Sequence, residues 1–138
     1  MGRVFFNTRR NVVDLTTTYQ VLASDSGNLF VIDQSSSFVI TLPLMSAIET
    51  GWNCQFIIGT ADANAVTIIN NDADGNEDTI VGGIAGADGG AGTSSETAVD
   101  TITFISGAKL GDTCNIVSNG TNYFVSGFGN DVAHITVD

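Results

Sequence analysis

Apolar residues along this chain come in short bursts separated by Gly, Asn, Asp, Ser and Thr, and nowhere does the three-to-four spacing of a helix persist. Phe38, Ile40 and Leu42 share one face of an extended segment with Thr41 on the other, and Ile102 and Phe104 alternate with Thr101 and Thr103 in the same period of two. The pattern predicts strands over Tyr19–Ala23, Leu29–Asp33, Phe38–Leu42, Asn53–Gly59, Ala65–Asn70, Val99–Ser106, Thr113–Ser118, Asn122–Gly127 and Val132–Val137. Leu29–Ile32 is continuously apolar, as expected of a strand covered on both faces or packed at an interface. The one helical turn the pattern allows is Ser46–Thr50, after Pro43. Strand spacing and turn signals therefore predict an all-β fold, a jelly-roll-like β-sandwich of about eight to ten short strands. Its expected core is Phe30, Ile32, Phe38, Ile40, Leu42, Phe56, Ile58, Ile68, Ile102, Phe104, Ile116, Tyr123 and Val125.

Three hairpins are predicted: Leu29–Asp33 with Phe38–Leu42 through Gln34–Ser37, Cys54–Ile58 with Val66–Ile69, and Cys114–Ser118 with Tyr123–Gly127. The last has the strongest turn, Asn119-Gly120, because both residues tolerate positive φ. Gly51–Ile57 and Gly111–Val117 resemble each other, each with Cys at its fourth position, which predicts that Cys54 and Cys114 are neighbours across strands. Two cysteines with no export signal are expected to stay reduced and pack as small hydrophobes, with a disulfide as the alternative. Residues 70–98 break the pattern: four carboxylates fall within Asn70–Asp78 and six glycines within Gly82–Gly92. The expectation there is a long surface excursion with at most a short strand near Thr79–Val81.

The length, 138 residues, suits one domain, large enough to bury a core without a metal or a disulfide. Charged residues are 14% against about 25% in an average domain, while 43% are apolar, which argues against global disorder. The longest apolar runs hold about four residues, far short of the roughly 20 that a membrane-spanning helix needs. No apolar stretch of signal-peptide length follows the basic start. The net charge is -11, and its distribution is uneven. Arg3, Arg9 and Arg10 lie in the first ten residues, which contain no acid; beyond them Lys109 is the only cation against all fifteen acids. Such a body would repel a phosphate backbone and an anionic membrane surface, so neither nucleic acid nor membrane is an expected partner. Acidity of this kind keeps a chain soluble. The basic, aromatic start (Arg3, Phe5, Phe6, Arg9, Arg10) reads as a docking arm over residues 1–10, ahead of one sandwich domain over 11–138. Val4–Phe6 as an edge strand of its own sandwich is the other reading.

Candidate chemistry is sparse. Asp72–Asp78 alternates hard oxygen ligands, but Gly75 stands at loop position four where a helix–loop–helix calcium loop needs glycine at six, and position twelve is Gly83 instead of a bidentate Glu. The glycine run lacks the Lys-Ser/Thr of a phosphate loop. His134 is the only histidine, with no catalytic pairing legible beside it, and it is expected on a strand face. There is no nucleophile elbow and no zinc signature. No catalytic residue, metal site or cofactor is predicted, and the chain does not read as an enzyme.

Two segments carry a resemblance. Asp25–Asp33 followed by Phe38–Pro43 resembles the opening of many small tailed-bacteriophage virion proteins, and Gly111-Asp112 with Ile116–Gly127 resembles their closing segment. With Thr101–Ser106 the resemblance covers most of Tyr19–Gly127. Where that family usually has Trp in the closing strand, this chain has Tyr123, which leaves the packing role intact. The resemblance implies a virion structural protein made in the host cytoplasm: a capsid decoration (cement) protein, homotrimeric, bound to the major capsid protein on the outer shell. The charge and aromatic pattern of the arm, not the resemblance, makes Arg3, Phe5, Phe6, Arg9 and Arg10 the expected contact residues. A small fibre or adhesin module for a host glycan or surface protein is the alternative, and a glycan depolymerase is a third, poorly supported by a chain with no acid pair or triad. A short chain that begins with a compact module favours decoration over fibre.

Overall fold

The computed structural model describes residues 9–71, 79–89 and 92–138. It is the expected all-β sandwich, two mixed sheets packed face to face. The strands are β1 (Val12–Leu15), β2 (Tyr19–Gln20), β3 (Leu29–Asp33), β4 (Phe38–Thr41), β5 (Asn53–Thr60), β6 (Val66–Ile69), β7 (Ile80–Gly86), β8 (Thr93–Val99), β9 (Thr101–Phe104), β10 (Thr113–Ser118), β11 (Tyr123–Gly129) and β12 (Ile135–Val137). One sheet has seven strands in the order β1-β3-β5-β10-β11-β7-β8, the other five in the order β12-β9-β6-β4-β2. The helical turn is a short 3-10 segment, Met45–Ala47, one residue ahead of the expected span.

Two of the three predicted hairpins are absent, and the reason sets the topology. After β3 the chain does not fold back beside it; it crosses to the other sheet, so β3 and β4 lie in different layers, as do β5 and β6. Over its first six strands the chain shuttles between layers. Consequently β1, β3 and β5 pair in parallel in one sheet, and β2, β4 and β6 in the other. Parallel winding stacks like on like in the core. Phe30 pairs with Phe56 with ring centroids 5.0 Å apart and planes 18° apart, Ile32 pairs with Ile58, and Ile40 with Ile68. The third hairpin is present: β10 and β11 are antiparallel neighbours around Asn119-Gly120, with Gly120 at φ 89. The two look-alike segments become β5 and β10, adjacent antiparallel strands.

Every residue expected in the core is buried. The alternation missed Leu15, Val21, Trp52, Ile80, Ile84, Ile135 and Val137, which stand at strand ends or in the glycine-rich region.

The excursion expected over residues 70–98 contains instead two strands of the large sheet, β7 and β8. β7 runs parallel to β11, and its glycines are the means of that pairing. A Cβ on Gly82, at φ +136, would stand 2.0 Å from the Val125 carbonyl oxygen, and one on Gly127 would stand 2.3 Å from that of Thr113. Glycine here permits close backbone approach within a sheet, where a sequence reading counts it as a breaker. The acidic loop Asp72–Asp78, with its calcium question, lies outside the described residues, as do Arg3, Phe5 and Phe6 of the arm.

Candidate interaction surface

The outward face of the large sheet resolves, by strand register, into three rows that cross the strands. The first contains Asn53, Val117, Phe124 and Val81, the second Gln55, Asn115, Ser126 and Gly83, and the third Ile57, Thr113, Phe128 and Ala85. None of these twelve positions on β5, β10, β11 and β7 is charged, on a chain of net charge -11, although the third row continues through Val31 of β3 to the exposed Asp14 of β1. Val117, Phe124 and Phe128 are each 46% exposed, and Phe124 faces Val117 directly across β10 and β11. The first and third rows therefore stand up as apolar ridges, and the second, built of Gln, Asn, Ser and Gly, is the low strip between them. Large exposed aromatics grouped on one sheet face are the kind of patch that marks interaction surfaces. The five-stranded sheet contrasts with this: its outward rows are largely threonine, with Thr67, Thr103 and Thr136 aligned on β6, β9 and β12.

Of the predicted contact residues, Arg9 and Arg10 are described. Arg10 does not extend freely from the domain. Its guanidinium lies over the outer face of the sheet, donating from Nε to the Gly27 carbonyl at 3.2 Å, from one terminal nitrogen to the Asn28 carbonyl at 3.5 Å, and from the other to Oε1 of Gln55. Gln55 in turn donates to Oγ1 of Thr113 at 3.1 Å. This polar chain starts ahead of β1, touches the carbonyls that lead into β3, and runs through Gln55 of β5 to Thr113 of β10. Sequence reasoning assigned Arg10 to a free arm; the Gln55 acceptor, 45 positions away, left no local signal.

His134 stands immediately before β12, and not on a strand face as expected. It has a partner that sequence reading did not find. Its Nδ1 lies 2.8 Å from Oδ2 of Asp112, a carboxylate with no exposed surface. The same oxygen accepts from the Lys109 backbone N–H at 2.7 Å, while Oδ1 accepts from the Asn130 N–H at 2.7 Å and its side-chain amide at 2.6 Å. All four acceptor directions of the buried anion are used, which is the condition under which a carboxylate is tolerated there. The cluster staples the turn before β10 to the connection between β11 and β12. Four bonds from two separate segments to one buried carboxylate give the pair the geometry of a structural clamp.

Cys54 and Cys114 are both buried and both free. They sit diagonally on β5 and β10, where Cys54 pairs with Ile116 and Cys114 with Phe56. Burial pushes both thiols up, Cys54 with a further contribution from Cys114, and Cys114 to about 12. Such thiols stay protonated and inert at neutral pH. An open cleft of about 450 Å³ lies at the far end of β5, lined by Ser26, Glu49, Thr50 and Trp52 among others. Trp52 is 5% exposed and donates its indole N–H to the Ala23 carbonyl at 3.0 Å. Its ring meets Tyr123 edge-on at 5.9 Å, and the Tyr123 hydroxyl donates to the Pro43 carbonyl at 2.7 Å.

No known family, curated protein or solved structure matches the chain.

Proposed function

We propose that the chain is a non-enzymatic structural subunit of a tailed-bacteriophage virion, a capsid decoration protein that binds the major capsid protein on the outside of the shell as a homotrimer. The observation that supports it best is the uncharged stretch of the large sheet's outer face over β5, β10, β11 and β7, with exposed Phe124 and Phe128 on an otherwise acidic protein. Its central strands are β10 and β11, the hairpin that carries the resemblance to virion proteins. A chain that exposes apolar side chains on one sheet face, with its buried acid–histidine pair serving as a clamp, is organised for assembly. Arg3, Phe5, Phe6 and Arg9 precede the sheet edge from which Arg10 reaches inward, so an arm and a face together supply the contact surface. Arg and aromatic anchors are the residue types that dominate interface energetics.

The test is binding of purified protein to undecorated capsids, with copy number counted in intact virions. Saturable binding at shell-wide stoichiometry is expected; a handful of copies at the tail overturns decoration. The second reading, a small fibre or adhesin module, draws on the Trp52 cleft, where Ser26, Glu49 and Thr50 offer oxygens beside an aromatic ring. Its test is a glycan array, and saturable binding lost in Glu49→Ala would favour it over decoration.

A further inference from the structure

The two ends of β5 open onto different surfaces. Near its close, the turn ahead of β10 presents Lys109 and Leu110. Leu110 is 65% exposed, the most of any large apolar side chain among the described residues. Lys109 is the only Lys or Arg after Arg10. Four backbone N–H groups fix this turn. Ala108 donates to the Ile105 carbonyl at 3.1 Å, Gly111 to the Ile58 carbonyl at 3.0 Å and Asp112 to the Lys109 carbonyl at 3.0 Å, while Lys109 donates to Oδ2 of Asp112 at 2.7 Å. The Asp112–His134 clamp therefore holds a rigid knob. Where β5 begins lies the cleft of about 450 Å³, with Ile48, Glu49, Thr50 and Trp52 in its lining. Its walls are pinned as well. The Trp52 indole donates to the Ala23 carbonyl at 3.0 Å, the Thr50 hydroxyl to the Asn119 carbonyl at 3.0 Å and the Gly51 N–H to the Ser118 carbonyl at 2.7 Å.

We propose that the Lys109-Leu110 knob of one copy seats in the Trp52 cleft of a second copy, with Leu110 in the cleft and the Lys109 ammonium paired to the Glu49 carboxylate. Three observations carry it. The first is charge. Neither the Lys109 ammonium nor the Glu49 carboxylate has an ion-pair or hydrogen-bond partner among the described residues. Glu49 is the acid in the cleft's lining, and both side chains are exposed. The second is shape. The most exposed leucine stands on a fixed protrusion, and the cleft offers Ala47, Ile48 and Trp52 to receive it. Both parts are ordered beforehand, so docking loses little conformational freedom. The third is distance. Trp52 precedes β5 and Ile58 lies near its close, about 20 Å away at about 3.3 Å per residue. Knob and cleft therefore cannot meet within one chain, and can meet between two.

A contact of one end with the other is heterologous. It closes into a ring when the rotation between copies closes, and three copies in a ring would be the homotrimer proposed above. The contact concerns the free protein and does not rest on capsid binding.

Sedimentation velocity on the full-length protein, from micromolar to millimolar concentration, tests it. Concentration-dependent association is expected. Leu110→Asp, Lys109→Glu and Glu49→Lys, each shown by circular dichroism to keep the β-fold, should weaken association about tenfold or more, through loss of leucine burial in the first and like-charge contact in the others. The chain that carries both Lys109→Glu and Glu49→Lys is expected to regain association, because the pair is restored with its signs exchanged. An equimolar mixture of those two single variants should associate where neither does alone. A wild type that stays monomeric throughout overturns the proposal, and so does a monomer that binds a glycan in the cleft. Association that the single variants leave unchanged also overturns it, because the interface then lies on another surface, such as the outer face of the large sheet. Failure of the charge exchange to restore association overturns the pairing of Lys109 with Glu49.

Discussion

Asp112→Asn is the most discriminating test of how the end of the sandwich is held together. The substitution keeps the shape of the side chain and opens no cavity, so its whole effect is electrostatic. The native carboxylate accepts four hydrogen bonds, two on each oxygen. An amide has only one oxygen. With that oxygen turned to Asn130, the new NH2 faces the Lys109 N–H and His134. His134 can present an unprotonated Nδ1 and accept, but the Lys109 N–H then meets a donor and is left unpaired. One bond is lost outright, and the remainder change from charge-assisted to neutral. Hydrogen bonds to charged groups contribute about 1.5–3 kcal/mol against about 1 kcal/mol for neutral ones. The expected loss is about 2–4 kcal/mol, a large share of the roughly 5–15 kcal/mol that stabilises a typical domain. Urea unfolding followed by Trp52 fluorescence reads it cleanly, since Trp52 is the only tryptophan and stands beside the opposite end of β5 from the cluster. A midpoint shift with unchanged slope is expected. A loss under about 0.5 kcal/mol, the scale of an ordinary surface substitution, would refute the clamp.

Further outcomes follow from the same geometry. Tyr123→Phe strands the buried Pro43 carbonyl and is expected to cost about 1–2 kcal/mol in the same unfolding assay while leaving the spectrum of the fold intact. Gly82→Ala combines a positive φ with a Cβ driven into the Val125 carbonyl oxygen, and should cost more than about 3 kcal/mol or abolish soluble expression. The raised thiols predict an alkaline limit: below the ordinary thiol value of 9.0 both states hold their protons and stability is unaffected, whereas from there toward about 12 the unfolded chain releases protons that folded Cys114 retains, so stability falls with rising pH. Cys114→Ser or Cys114→Ala should flatten that part of the stability–pH profile. Deleting residues 1–8 should leave the unfolding midpoint within about 1 kcal/mol of wild type while abolishing binding to undecorated capsids; unchanged capsid affinity would remove the arm from the contact surface.

Strands other than β1, β7 and β8, and the centre of the core, were legible in the sequence because alternation is a local property. A strand buried on one face must place apolar residues at every second position, and Phe38, Ile40, Ile102 and Phe104 do so whatever they pair with. The β10–β11 hairpin was legible for the same reason, since Asn119-Gly120 encodes the turn within four residues. Which sheet a strand joins is not local. The turns after β3 and β5 read as hairpin connections, yet the chain crosses layers there, and the crossing sets Phe30 beside Phe56 in one sheet and Ile40 beside Ile68 in the other. The glycine-rich region read as a loop because propensity scores each glycine alone, whereas Gly82 and Gly127 are needed by partners that lie 40 or more and 14 or so positions away along the chain. Asp112 and His134 are 22 residues apart and look like a turn acid and a lone histidine until the fold closes the distance to 2.8 Å. The face that carries the proposed contacts is likewise a product of tertiary structure. Val117, Phe124 and Phe128 are unremarkable strand residues one by one, and only the register of β10 against β11 groups them on an uncharged stretch of the sheet.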